Sequence, residues 1–149
     1  MEEISYDFNI KESIKKIKFE DLSDDSCKII TSEPCGGKSY FMWMLMREYL
    51  MGYTSDDKKI PVLLEGRYYG RGYVSVADGI YQELKMFSAL MTKETVDKRL
   101  RYGGFVILFD ALDEVETNYD ILVRSLHQLK RRTDNIIVVT SRIQNYREE

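Results

Sequence analysis

The chain has 149 residues with a formal net charge of −3, and 44% of its residues are hydrophobic while 32% are charged. Its length suits one globular domain, its acidic balance disfavours direct nucleic-acid binding, and no apolar run approaches the about 20 residues needed to cross a membrane. Two cysteines, Cys27 and Cys35, and a single histidine indicate neither a disulfide framework nor a zinc site, so we expect a cytoplasmic protein with reduced thiols.

Strand and helix patterns alternate along most of the chain. A polar lead-in over residues 1–26, with a short helical pattern at 10–17, precedes the main domain at 27–149. Strands are predicted at 27–31, 60–65, 105–109 and 136–139, and helices at 38–51, 74–90, 93–102 and 119–132. The first helix is apolar nearly all round, so we expect it to pack on a sheet with Trp43 in the core. Strands that alternate with helices imply an α/β fold with a parallel sheet.

The segment between the first strand and the first helix has the pattern of a phosphate-binding loop. The pattern G-x-x-x-x-G-K-[ST] is complete at its end, whereas Ser32 replaces the opening glycine. In such a loop, backbone N–H groups surround the phosphates, Lys38 contacts the β- and γ-phosphates, and Ser39 binds Mg²⁺. We therefore predict a site for ATP or GTP formed by Glu33, Pro34, Cys35, Gly36, Gly37, Lys38, Ser39 and Tyr40. The alternative is a Gly-Gly-Lys-Ser turn that only caps a helix.

Acidic residues follow the third predicted strand. Asp110 ends the apolar run, and Asp113 and Glu114 come just after it. Because the carboxyl ends of parallel strands share one edge, Asp110 can face the phosphate loop and hold Mg²⁺ together with Ser39. Asp113 or Glu114 can orient the attacking water or act as its base. The alternative interpretation is a surface turn with three acids.

These motifs together resemble those of a known family. The run Asp110-Ala111-Leu112-Asp113-Glu114, after an apolar strand, resembles the signature of NACHT domains, which are STAND-class signalling ATPases of innate-immune receptors and bacterial defence proteins. Residues 32–39 are similar to the family's G-E-P-G-x-G-K-S, with Ser32 and Cys35 in place of glycines. Residues 60–64 resemble its second strand, and residues 137–142 resemble its sensor 1 strand. The resemblance covers residues 25 to 145.

The resemblance implies both a fold and a mechanism. The fold would be a three-layer P-loop NTPase with sheet order 1-4-3-2 in the numbers of the predicted strands, truncated after sensor 1. The neighbouring strand usual beside strand 1 would then be lacking, which leaves that edge open. Arg142 would contact the γ-phosphate, and the ligand would be Mg-ATP rather than Mg-GTP. The protein would be a switch in which ATP binding drives self-association and slow hydrolysis resets it, with weak activity in this portion alone.

Two other functions fit the same motifs. One is a different P-loop ATPase, of the AAA or KAP type. The other is a nucleotide-binding scaffold without turnover, because two loop glycines are replaced. No membrane partner is expected in any of the three cases.

Overall fold

The protein is an α/β domain, seen in a computed structural model that describes residues 2–5, 27–32, 37–52 and 59–142. Strands in these ranges are β1 (Glu2–Ser5), β2 (Cys27–Ser32), β3 (Ile60–Glu65), β4 (Phe105–Asp110) and β5 (Ile136–Arg142). The helices are α1 (Lys38–Met51), α2 (Val76–Leu84), α3 (Lys93–Arg101) and α4 (Tyr119–Arg132). Short 3-10 turns follow β3 at Gly66–Tyr68 and β4 at Leu112–Glu114. The helical pattern at 10–17 lies outside the described residues.

The strands form one parallel sheet in the order β1-β2-β5-β4-β3. The four strands predicted from the sequence therefore take the expected 1-4-3-2 order. The expectation of an open edge beside β2 is wrong, because β1 pairs there with Glu2 opposite Lys28. Because β1 contains two glutamates, the sequence pattern assigns it to the polar lead-in. Short strands with charged side chains are nevertheless usual at sheet edges.

The strands send alternate side chains into two cores, one on each face of the sheet. On one face, Val106 and Leu108 of β4 belong to a cluster with Phe41, Met42 and Leu45 of α1. On the other face, the cluster contains Phe105, Ile107 and Phe109 of β4 and buried side chains of α2, α3 and α4. Helices thus cover both faces, which explains why β4 is an unbroken apolar run that is buried throughout.

The predicted burial of Trp43 and the predicted end of the second helix are both wrong. Trp43 is 61% exposed, because α1 contacts the sheet through one face and Trp43 lies off that face. Helix α2 ends at Leu84 rather than at residue 90, and the apolar side chains of Met86, Phe87 and Leu90 are almost fully exposed. Within the ranges described above, no helix combines the length and the hydrophobicity that crossing a membrane requires.

Candidate functional site

The polar strand ends meet at the carboxyl edge of the sheet. Ser32 at the end of β2 pairs with Arg142 at the end of β5, and Glu65 at the end of β3 pairs with Asp110 at the end of β4. Helix α1 begins at this same edge, since it starts at Lys38, only a few residues after β2 ends at Ser32. The topology therefore places the start of α1 and the predicted acidic and basic residues on one side of the molecule.

The start of α1 has the features of an anion site. Gly37 precedes the helix with φ 80° and ψ 19°, a left-handed conformation that glycine adopts far more readily than other residues. Among residues 37–52, no side chain caps the helix and its first turn contains no acid, so nothing in this range offsets the partial positive charge of the helix start. Lys38 is half-buried, whereas Ser39 and Tyr40 are exposed. The loop residues Glu33, Pro34, Cys35 and Gly36 lie outside the described residues.

Asp110 is a buried carboxylate held by a neighbouring strand. It is 7% exposed, and the Thr140 hydroxyl donates a 2.6 Å hydrogen bond to its Oδ1. The same hydroxyl accepts a 2.9 Å hydrogen bond from the N–H of Ala111, so its own proton is directed at Asp110. Ala111 has a left-handed φ of 57°, which turns the chain away from the strand at this point. The orientation of the Asp110 carboxylate is therefore fixed through β5.

The alternation of side chains shows which face of the sheet Asp110 occupies. Phe109 and Val139 both enter the core beneath α2, α3 and α4. Because successive side chains of a strand point to opposite faces, Asp110 and Thr140 face the side covered by α1. The acid and the glycine-led helix start thus share both an edge and a face of the sheet.

A metal at this edge would have few side-chain ligands among the described residues. No described residues form a group of three or more His, Cys, Asp or Glu side chains able to hold a metal. Asp110 has one oxygen bonded to Thr140, and within the described ranges its other oxygen has no hydrogen-bond partner. Mg²⁺ commonly takes one or two protein oxygens, so Asp110 and Ser39 fit this ion better than an ion that needs an all-protein cage.

Asp113 and Arg142 form a bridge between the turn after β4 and the end of β5. Asp113 Oδ1 accepts a 3.0 Å hydrogen bond from the backbone N–H of Arg142, and Asp113 Oδ2 lies 3.3 Å from Arg142 Nε. The Asp113 side chain is 3% exposed and that of Arg142 is 48% exposed. Both oxygens of Asp113 are thus engaged, whereas Glu114 is exposed on the same 3-10 turn.

Glu65 and Arg67 belong to the same edge, and their place at the end of the second predicted strand already suggests a part in the site or in a contact between domains. Glu65 pairs in register with Asp110, and its Oε2 lies 2.5 Å from Arg67 Nη2. This carboxylate raises the pKa of the Arg67 guanidinium above its ordinary value. Gly66 lies between them in direct contact with the carbonyl of Ala111. The available signal was their position, since polar residues at the carboxyl ends of buried parallel strands tend to line sites.

Thr140 was missed as a site residue. The sequence places it only in the stretch at 137–142 that ends with Arg142, and a threonine there needs no functional explanation because threonine has high β propensity. Its role follows from the register of β4 and β5, which brings its hydroxyl to Asp110.

Comparison with known proteins adds no family to this picture. No protein-family model matches the chain, and no curated protein matches it. The functional argument therefore rests on the motifs and on the geometry of the carboxyl edge.

Proposed function

We propose that this chain binds Mg-ATP at the carboxyl edge of its sheet and hydrolyses it slowly, as the nucleotide switch of a NACHT-type STAND ATPase. One observation carries the proposal. The buried Asp110 carboxylate, oriented by Thr140, lies on the edge and the face where α1 starts with Gly37, Lys38 and Ser39. A cation site beside a phosphate site is what a magnesium–nucleotide complex requires.

Binding of the phosphates would fall to the start of α1. Gly37 allows the backbone to turn into the helix without a Cβ in the way, so that N–H groups of the first turn can point at phosphate oxygens. Lys38 adds a cation to the partial charge of the helix. The choice of ATP over GTP follows from the NACHT resemblance alone.

Asp110 and Ser39 would hold the magnesium ion. When bound, the ion neutralises phosphate charge and polarises the phosphoryl group. The Thr140 hydroxyl keeps one oxygen of Asp110 occupied and so directs the other oxygen toward the ion. Because this arrangement is buried and anchored by a second strand, it is in place before the nucleotide arrives.

Hydrolysis would use Glu114 and Arg142. Water attacks the γ-phosphorus and the bond to the leaving ADP oxygen breaks, with charge developing on the phosphoryl oxygens. The exposed Glu114 carboxylate can orient that water and accept its proton. Arg142 can stabilise the charge on the γ-phosphate. Positioning and charge supply nearly all of the catalysis in this chemistry, so two cations and one acid predict slow turnover.

The acidic pair favours the NACHT interpretation over the other P-loop ATPases. The strand order, with β5 between β2 and β4, agrees with the resemblance but does not separate it from AAA-type or KAP-type ATPases. The small residue Ala111 followed by Asp113 and Glu114 matches the signature better than AAA-type or KAP-type motifs. Ala111 adopts a left-handed conformation, which favours a small residue at that position.

The first experiment is nucleotide binding by Lys38→Ala. We expect it to lose binding of a fluorescent ATP analogue in the presence of Mg²⁺ while it keeps its thermal unfolding midpoint, because Lys38 contributes charge rather than core volume. Lys98→Ala is the matched control, since Lys98 is an exposed lysine on α3 on the other side of the sheet. If Lys38→Ala binds as tightly as the parent and the control, the phosphate-loop assignment is wrong.

Phosphate release then separates a slow ATPase from a scaffold. We expect phosphate release above the background of Lys38→Ala. Its rate should lie well below about 1 per second, which is the low end of typical enzyme turnover numbers. Binding without any release above that background would favour the nucleotide-binding scaffold. Turnover near one per second would contradict the slow-switch assignment.

A further inference from the structure

The two contacts between Asp113 and Arg142 differ in kind. The 3.0 Å contact joins Asp113 Oδ1 to a backbone N–H, so it holds the end of β5 whatever the Arg142 side chain does. The 3.3 Å contact joins Asp113 Oδ2 to Nε of the side chain, which is 48% exposed. One carboxylate thus anchors the backbone with one oxygen and restrains the guanidinium with the other.

The guanidinium contact is the weaker of the two and can be exchanged. Water screens an ion pair in part when one of its partners is half-exposed, so such a pair contributes less free energy than a fully buried one. A guanidinium has five N–H donors, and the fork geometry that matches a carboxylate also matches a phosphate. A γ-phosphate carries more charge than one carboxylate, so it would compete successfully for this side chain.

From this geometry we infer that Asp113 is a positioning residue that restrains Arg142, and that Arg142 exchanges Asp113 for the γ-phosphate when a nucleoside triphosphate binds. The inference rests on the proposed function, because it assumes a phosphate at the start of α1. It assigns Asp113 a role other than that of the base. A diphosphate lacks the competing group, so Arg142 would stay on Asp113 in the diphosphate state and leave it only in the triphosphate state.

Two substitutions at Asp113 separate its two contacts. Asp113→Asn keeps a carbonyl oxygen for the Arg142 N–H but removes the charge that competes for the guanidinium. We expect it to bind ATP about two- to fivefold more tightly, the equivalent of one exposed ion pair, with ADP affinity unchanged. Asp113→Ala removes both contacts, so we expect its ATP affinity to fall to that of Arg142→Ala. Asp97→Asn replaces an exposed aspartate on α3 and controls for the loss of one surface charge.

The decisive measurement repeats Asp113→Asn in an Arg142→Ala background, by titration with ATP and ADP in the presence of Mg²⁺. If Asp113 acts through Arg142, the gain in ATP affinity disappears there. If the gain persists, Asp113 merely repels phosphate and the inference is overturned. It is also overturned if Asp113→Asn abolishes phosphate release with ATP affinity unchanged, since Asp113 would then be the base.

Failure of the proposed function gives a different pattern. In that case Lys38→Ala binds as well as the parent, and no Asp113 variant alters a specific nucleotide site. Should Asp113→Ala not fold, the Asp113→Asn comparison in the two backgrounds still decides the question, because this substitution retains the shape and the backbone contact of the parent side chain.

Discussion

Gly66 offers a direct test of how the turns at the carboxyl edge support the candidate site. An ideal Cβ built on this residue would lie 2.0 Å from the carbonyl oxygen of Ala111 and 3.0 Å from its carbonyl carbon. Both are backbone atoms, so no side-chain rotation can relieve the contact. Gly66→Ala must therefore displace either the turn after β3 or the turn after β4.

The size of the effect follows from the distance. The Ala111 carbonyl would have to withdraw by more than an ångström, since ordinary van der Waals contact begins at 3.4 Å. Overpacking a well-packed interior costs about 1–3 kcal/mol. Because the obstacle is backbone, we expect the upper end, about 3 kcal/mol of the free energy of unfolding. For a chain of this size that lowers the unfolding midpoint by about 6–12 °C.

The displacement should also reach Asp110, the proposed metal ligand. Ala111 donates its N–H to Thr140, and Thr140 donates to Asp110, so movement of Ala111 disturbs the orientation of the carboxylate. We therefore expect Gly66→Ala to weaken Mg²⁺-dependent nucleotide binding even at temperatures where the protein stays folded.

Thermal unfolding followed by circular dichroism, together with a magnesium titration of nucleotide binding, measures both effects. Gly72→Ala is the matched control, because Gly72 lies a few residues further along the same connection and has nothing within 4 Å of an added Cβ. Equal midpoints and equal magnesium dependence for the two variants would refute the argument that Gly66 permits a necessary backbone contact.

The remaining predictions concern the site and the fold. Asp110→Asn should weaken the magnesium dependence of nucleotide binding, whereas Glu114→Gln should preserve binding and slow phosphate release; an equal loss of binding in both would contradict the division of roles. Gly79→Ala should lower the unfolding midpoint, because its Cβ would lie 2.2 Å from Tyr69 Oη, and adding Tyr69→Phe should recover part of the loss; purely additive midpoints would argue against this contact. Burial raises the pKa of Tyr73 from 10 to about 12, so the unfolded chain loses that proton first. Stability should be full below pH 10 and fall as the pH rises toward 12, as thermal unfolding across this range would show.

Much of the fold follows from hydrophobic patterns. The bounds of α1 at Lys38–Met51 agree with the prediction, because a glycine pair and a loop proline mark its start and Gly52 ends it. The run Phe105–Asp110 is buried at every position. Burial on both faces is typical of a central strand in a parallel sheet that helices cover on both sides. Patterns of this kind depend on residues that are close in sequence, so they can be recognised without knowledge of the tertiary contacts.

Other features depend on contacts between distant parts of the chain. Glu2–Ser5 lacks an apolar pattern, and its place as a strand depends on the free edge of β2. The apolar composition of α1 predicts Trp43 in the core. The sheet, however, covers only one face of the helix, and Trp43 lies outside that face. The bridge from Asp113 to Arg142 requires the register of β4 and β5 together with the left-handed turn at Ala111, and neither is readable from residue types alone.

The strand order separates Lys38 and Arg142 from Asp110 along the carboxyl edge, where the further cation Arg67 is paired with Glu65. The cations Lys38 and Arg142 follow or end β2 and β5, which are neighbours, while Asp110 and Glu65 end β4 and β3 on the far side. A phosphate chain would therefore lie over the cationic half, and a magnesium ion would lie where that half meets Asp110. Because β5 is inserted between β2 and β4, its end can interact with both halves at once. In the proposed switch, Arg142 is positioned to contact either the acidic turn after β4 or a phosphate near β2, so the nucleotide state can be converted into a movement of this side chain.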